Sequence, residues 1–396
     1  MLDYLFLGFL FLAIIVGFFL GRKSRSKPQQ RHPAPAEYLN YYKGLSYLFN
    51  EQPDSAIDAF IGALDVNSNT LETHLALGNM LRRRGEVTKA IKIHQNLLAR
   101  PGLSSIQRQE AQLELARDYI KSGLLDRAES LLLEIVKISA SFRARALEYL
   151  IEVYQDEKEW TSAIKMASQL NPKRYKNKNG QLLGEIQAHF ACEQACIELE
   201  KKQYSRARQF LADALNYDKN SVRASLLFAK LECDLGRYRD ALKYLHKIPT
   251  QEPELITEAL DLLCDCYDKL AEQAQLIEYL MSLLNEHPSN SLIIKIAERL
   301  RWQAGDNEAA AFIAAQLKIH PSIRTLNRLI EFYLPNSEGQ ARENLFLLKQ
   351  LVDKVISEKP GYCCSKCGFT GNTLHWLCPG CKSWGSVRPI RGVAGE

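Results

Sequence analysis

Small residues recur in this chain at an interval that a stack of helical hairpins explains. Gly44 and Gly78 lie thirty-four residues apart, as do Ala56 and Ala90, and each glycine is followed by its alanine after twelve residues. The twelve-residue pairing returns as Ala116 with Ala128, Ala195 with Ala207, Ala229 with Ala241, and Ala297 with Ala309. Turn signals fall between the members of a pair, in "RRRGEVTKA", "IKSGLLDRA", "CDLGRYRDA" and "RWQAGDNEAA", so each unit reads as helix, tight turn, helix. Two antiparallel helices approach closely only where their side chains are small, and one such position on each helix sets the crossing.

A helical hairpin of this length and pattern resembles the tetratricopeptide repeat. About eight repeats run from Glu37 to about Ile319, followed by two more helical stretches, "IRTLNRLIEFYL" and "GQARENLFLLKQLVDKVISEK", that cap the array or form a ninth degenerate pair. Some units depart from the pattern: Ile151 stands opposite Ala163, Leu263 opposite Gln275, and the insert "NPKRYKNKNG" after Leu170 stretches one interval to forty-four residues. The basic run from Lys173 to Lys178 in that insert reads as a solvated linker. The fold expected is all-α, a solenoid whose groove suits extended peptides or protein surfaces and offers no floor for an active site, so no enzyme is expected. His189, Cys192 and Cys196 in "HFACEQAC" share a helix face, but cysteines on a repeat helix read as small core hydrophobes, as do Cys264 and Cys266. Trp160, Tyr204 and Tyr238 stand just before second helices, where a ring can wedge between repeats.

The two ends of the chain differ in kind from its middle. Between Leu2 and Leu20 stand fourteen Leu, Ile, Val or Phe residues, and a helix of this length extends about 28 Å, close to the hydrocarbon thickness of a bilayer. No basic residue precedes this run and no small-residue cleavage site follows it, which speaks against a removed signal peptide. Arg22, Lys23, Arg25, Lys27 and Arg31 follow the run, so the positive-inside bias holds the rest of the chain in the cytoplasm. With those five set aside, the net charge of +5 leaves a nearly balanced body, and no basic nucleic-acid-binding surface is indicated. The expected organisation is a transmembrane helix over 1–20, a basic Pro-rich linker over 21–36, the repeat solenoid over 37–358 and a cysteine module over 359–396.

That module carries Cys364-x-x-Cys367 and Cys378-x-x-Cys381, ten residues apart. Four thiolates suffice for a closed tetrahedral site, and in a reducing compartment this spacing favours metal over disulfide chemistry. The expected cofactor is one zinc or iron ion held by Cys364, Cys367, Cys378 and Cys381. Cys363 would need a longer gap, and His375 is superfluous beside four sulfurs. The loop is shorter than that of common zinc ribbons, so the module is minimal and metal binding holds it folded.

The sequence Cys364 to Phe369, then Trp376 to Cys381, Trp384, and Pro389 to Gly392, joined to a repeat array and an N-terminal span, resembles the lipopolysaccharide assembly protein B family of Gram-negative bacteria, whose last module is rubredoxin-like. The resemblance implies a single-pass bacterial inner-membrane adaptor with its bulk facing the cytoplasm. Its implied partners are a membrane-bound ATP-dependent zinc metalloprotease, the deacetylase that commits precursors to lipid A, and a lipopolysaccharide-sensing membrane anti-adaptor. Bringing the deacetylase to the protease limits lipopolysaccharide synthesis. The repeats diverge too far for partner contacts to be carried across; Trp376, Trp384, Arg388 and Arg391 are the candidates in the module. Two rival readings stand beside this one. In the first the cysteine site is an electron carrier on a scaffold. In the second it is a zinc ribbon binding nucleic acid through Lys382, Arg388 and Arg391 on phosphates and Trp376 or Trp384 on bases; packing of those tryptophans against the helices is preferred. Zinc versus iron, and self-association, are left open by the sequence.

Overall fold

The computed structural model describes residues 71–99, 101, 103–171, 175–393 and 395–396, together with isolated helical positions between 15 and 59. Ile15, Val16 and Phe18 are helical and exposed; the rest of the expected span and the whole of the linker lie outside the described residues, as does Ala56. Among the described residues no helix is long and apolar enough to cross a membrane.

The chain divides into two compact units, residues 1–143 and 144–396. The first contains α1 (Leu71–Arg83), α2 (Val87–Leu98), α3 (Ser105–Ser122) and α4 (Leu125–Ile138). Helix α1 carries a buried ionic network: Arg82 reaches Asp118 at 2.7 Å and Glu114 at 2.8 Å on α3, and Asp118 also holds His94 of α2. A side chain at Gly78 would collide with the His94 ring, which is why the small position falls there.

The division falls after the first residue of α5 (Arg143–Asp156), and the second unit goes on with α6 (Trp160–Ala167), α7 (Leu183–Glu200), α8 (Tyr204–Tyr217), α9 (Val222–Asp234) and α10 (Tyr238–Leu245). After a short helical turn at Pro253–Ala259 come α11 (Leu260–Leu270), α12 (Gln273–Glu286), α13 (Asn290–Ala304), α14 (Asp306–Ile319), α15 (Ile323–Tyr333) and α16 (Gly339–Ser357). The two stretches expected beyond the eighth repeat are thus a further helical pair.

One turn closes most hairpins. Gly85, Gly123, Lys158, Lys202, Gly236 and Ala271 all have positive φ. The residue after each donates its backbone N–H to the carbonyl five positions back, as in Glu86 to Leu81 at 2.9 Å and Gln203 to Glu198 at 2.8 Å. This is a Schellman turn, which satisfies carbonyls left open at a helix end. Five residues after the turn residue comes the fully buried position of the second helix: Ala90, Ala128, Ala163, Ala207, Ala241 and Leu276. That register corrects the unit read with Leu263 opposite Gln275. Gln275 is exposed and Leu276 is buried, so the pair across this hairpin is Cys264 with Leu276 rather than Leu263 with Gln275. Cys264 is the small residue that the unit had seemed to lack. Trp160, Tyr204 and Tyr238 each begin a second helix, and Cys192, Cys264 and Cys266 are core residues.

The module after α16 adds three short strands, β1 (Tyr362–Cys364), β2 (Thr370–Gly371) and β3 (Val387–Pro389), in the order β2-β1-β3 with both pairings antiparallel. The protein is therefore mostly helical with a small β-knuckle, and the knuckle lies within the second unit.

Candidate metal centre and its seat on the repeats

Two matching knuckles face one another in this module. In the first, Gly368 donates its N–H to the Cys364 carbonyl at 3.0 Å; in the second, Lys382 donates to the Cys378 carbonyl at 2.9 Å. Gly368 and Lys382 occupy the same place after the second cysteine, and both have positive φ. Glycine accepts that conformation freely, whereas lysine is strained by it. A Cβ at Gly380 would lie 3.2 Å from the Cys367 sulfur, so the second knuckle has room for glycine there and little more.

The four sulfurs of Cys364, Cys367, Cys378 and Cys381 all lie within 4.8 Å of one another, with Cys364 to Cys381 at 3.8 Å and Cys367 to Cys378 at 3.6 Å. Thiolates at the corners of a tetrahedron around zinc would stand about 3.8 Å apart, given metal–sulfur bonds of about 2.3 Å. The donor set therefore fits a tetrahedral tetrathiolate ion and not a disulfide, whose sulfurs bond at about 2.05 Å. Burial opposes ionisation of Cys364, but hydrogen bonds from the Ser386 hydroxyl and the backbone N–H groups of Cys367 and Lys366 outweigh it and bring its pKa down to about 6. Burial and the neighbouring sulfurs push Cys378 up to about 12. All four sulfurs can ionise together at this separation only with a cation among them. Cys363 stands apart from this group, and His375 is exposed, near Thr373 and against the Phe369 ring.

The module does not stand free. Trp384 is buried, stacks on His189 with ring centroids 4.9 Å apart, and meets Trp160 and Phe190 edge-on. Its indole N–H donates to Gln155 at 2.9 Å. The Gln181 amide pairs with the Trp384 backbone in both directions, donating to its carbonyl at 2.7 Å and accepting from its N–H at 3.2 Å. Asn179 donates to the Cys381 carbonyl at 3.3 Å. The loop after Leu170, expected to be a solvated linker, thus continues into a cradle for the metal module. Packing against α7 also explains Gly385, which has positive φ and whose Cβ would lie 3.2 Å from the His189 ring. Burial first, then the positive charges of Arg223 and Arg388, bring His189 down to about 3.

Arg223 of α9 lies 5.7 Å from the ring centres of both Trp376 and Trp384 and pairs with Glu193 at 2.7 Å, an arrangement in which a guanidinium bridges two indoles. Lys382 pairs with Asp156 at 2.6 Å, Arg388 with Glu252 at 2.7 Å, and the Tyr362 hydroxyl donates to Glu258 at 2.8 Å. Of the candidate contact residues, Trp384 and Arg388 are engaged within the chain, Trp376 is partly buried against the repeat core, and Arg391 is exposed. The receiving residues Gln155, Gln181, His189 and Arg223 were not singled out as a seat by the sequence. They lie on three different repeats and in a loop, and no spacing rule links them to a module some two hundred residues on.

A helical-repeat scaffold bearing a tetrathiolate knuckle is the class that this fold and site define. Family profiles agree: the tetratricopeptide repeat matches residues 41–102 and 198–266, and the rubredoxin metal binding domain matches residues 362–389. Over its whole length the chain is 36% identical to lipopolysaccharide assembly protein B of Escherichia coli K12, covering 100% of both chains. It is 32% identical to the protein of that name from Haemophilus influenzae, covering 98% of each. The chain belongs to the lipopolysaccharide assembly protein B family. Among solved structures, a tetratricopeptide repeat protein from Parabacteroides merdae aligns over 72% of this chain and 100% of its own, at 14% identity and a TM-score of 0.33, a likeness too loose to add to the fold argument.

Proposed function

We propose that this protein is a non-enzymatic adaptor of the bacterial inner membrane that limits lipopolysaccharide synthesis by bringing the lipid A-committing deacetylase to a membrane-bound ATP-dependent zinc metalloprotease. Full-length similarity to relatives named lipopolysaccharide assembly protein B carries this reading. In it, residues 1–20 form a single membrane span and 21–36 a basic linker. The repeats over 37–358 and the module over 359–396 form the cytoplasmic body, and a lipopolysaccharide-sensing membrane anti-adaptor restrains the whole. Confinement to the plane that holds the protease raises the effective concentration of the two without new contacts.

Cys364, Cys367, Cys378 and Cys381 hold one zinc or iron ion in this reading. Its contribution is structural: a bound ion offsets part of the thiolate charge and fixes both knuckles. The chain's own residues then present the module. Ser386 and the knuckle N–H groups orient the sulfurs, while Gln181, His189 and Arg223 fix the Trp384 side of the module on the repeats. Solenoid and module thereby act as one recognition surface.

The test is affinity capture from detergent-solubilised membranes with the intact chain and with Cys364→Ser/Cys367→Ser. The intact chain should co-purify the metalloprotease and the deacetylase, and the double variant should reach the membrane but lose the deacetylase and its degradation. A double variant that captures both and regulates normally would contradict the proposal.

A further inference from the structure

The last residues of the sequence continue beyond β3 of the metal module and lie against the starts of two repeat helices. Ile323, first residue of α15, donates its N–H to the Val393 carbonyl at 2.8 Å. Asn290, first residue of α13 and buried, donates its side-chain amide to the Gly395 carbonyl at 2.8 Å. The Glu396 carboxylate accepts the Ser291 backbone N–H at 3.0 Å and the Ser291 hydroxyl, and lies 3.6 Å from the Arg324 guanidinium. Two backbone carbonyls and one carboxylate are therefore read by donors from adjacent repeats.

These donors are arranged in advance. Asn290 Oδ1 accepts the Thr325 hydroxyl at 3.3 Å, which turns the amide nitrogen toward the tail. Ser289 and Ser322 cap α13 and α15 through their hydroxyls, leaving the N–H groups of Ser291 and Ile323 in the first turns for another acceptor. Both helix starts favour negative charge, and Arg324 adds to it. The tail is shaped to match: Gly395 donates to the Gly392 carbonyl at 3.0 Å and Gly392 to the Glu396 carbonyl at 2.8 Å. A side chain at Gly395 would collide with the Ile390 carbonyl. A cavity of about 430 Å³ lies elsewhere, by Leu334 and Phe346, but a second one of about 260 Å³ adjoins the tail itself, lined by Pro288, Ile293, Ile319 and Pro321.

We propose that the starts of α13 and α15 form a receptor for an acidic peptide segment, which the chain fills in cis with its own Val393, Gly395 and Glu396. The ligand class is a glycine-containing turn ending in a carboxylate side chain, held by Asn290, Ser291, Ile323 and Arg324. The inference does not depend on the adaptor reading, since it concerns only what this corner of the repeats binds.

Its test uses a fluorescent octapeptide, PIRGVAGE, amidated so that only the side-chain carboxylate is charged at that end. Fluorescence anisotropy is recorded with the intact chain and with a chain lacking residues 391–396. The shortened chain, once shown folded by circular dichroism, should bind the peptide at least tenfold more tightly than the intact chain, whose own tail competes. Adding Ser291→Ala and Arg324→Ala, or replacing the peptide's glutamate with glutamine, should weaken binding at least tenfold. If the shortened chain does not fold, full-length Glu396→Lys, with its tail repelled by Arg324, takes its place with the same expected order. Absence of binding to the folded, tail-released chain, or equal binding by the Ser291/Arg324 variant, overturns the proposal.

Discussion

His189 shows how one side chain joins the repeat array to the metal module. Its ring stacks on Trp384 and closes the space over Gly385, and burial brings its pKa down to about 3. An unfolded chain binds a proton at this imidazole below about pH 6.5, while the native protein stays neutral there until about pH 3. The stability it contributes is therefore complete above about pH 6.5 and falls as the pH drops toward 3, by on the order of 1 kcal/mol per pH unit. His189→Gln removes this dependence. Between pH 7.5 and 5.5 the parent should lose more melting temperature than the variant, since the carboxylates common to both cancel; parallel profiles would show that His189 is not held neutral. The sequence placed His189 on a helix face with Cys192 and Cys196 and read that face as core, which holds for Cys192. It could not show that the histidine's partner is Trp384, because a contact across 195 positions leaves no local signature.

At the scale of the hairpin, legibility depended on glycine. Turns at Gly85, Gly123 and Gly236 are visible in the sequence because glycine accepts a left-handed backbone, whereas Lys158, Lys202 and Ala271 adopt the same conformation unannounced. The small-residue spacing located most buried pairs and slipped by one residue only where Cys264 replaces alanine and Leu276 fills the facing position. A left-handed non-glycine residue costs about 1 to 2 kcal/mol, partly returned by glycine's greater freedom when unfolded. Lys202→Gly should therefore stabilise the chain by about 0.5 to 1 kcal/mol and Gly123→Ala destabilise it by about 1 kcal/mol. Thermal denaturation reads both, and a Lys202→Gly chain that melts below the parent would mean that the lysine side chain contributes more than the turn strain removes. The metal knuckle was legible from its cysteines, since tetrahedral coordination dictates their spacing. Its seat was not, because Gln181 and Arg223 are ordinary residues until folding brings them to Trp384.

For the whole molecule, the proposed adaptor depends on a tether and on a metal-filled module fixed to the repeats. Deleting residues 2–20 should leave a folded, soluble body that regulates lipopolysaccharide synthesis poorly in cells; normal regulation by that fragment, read from deacetylase levels, would make the tether dispensable. The metal module has the more direct test. Its sulfurs stand at distances suited to tetrahedral coordination, and a module of this size has too little apolar core to hold its fold without an ion. Elemental analysis of the full-length protein, purified from its native membrane without added metal, should find one zinc or iron per chain retained through gel filtration. Protein that is folded and active with no bound metal, and with all four thiols open to alkylation, would contradict the account.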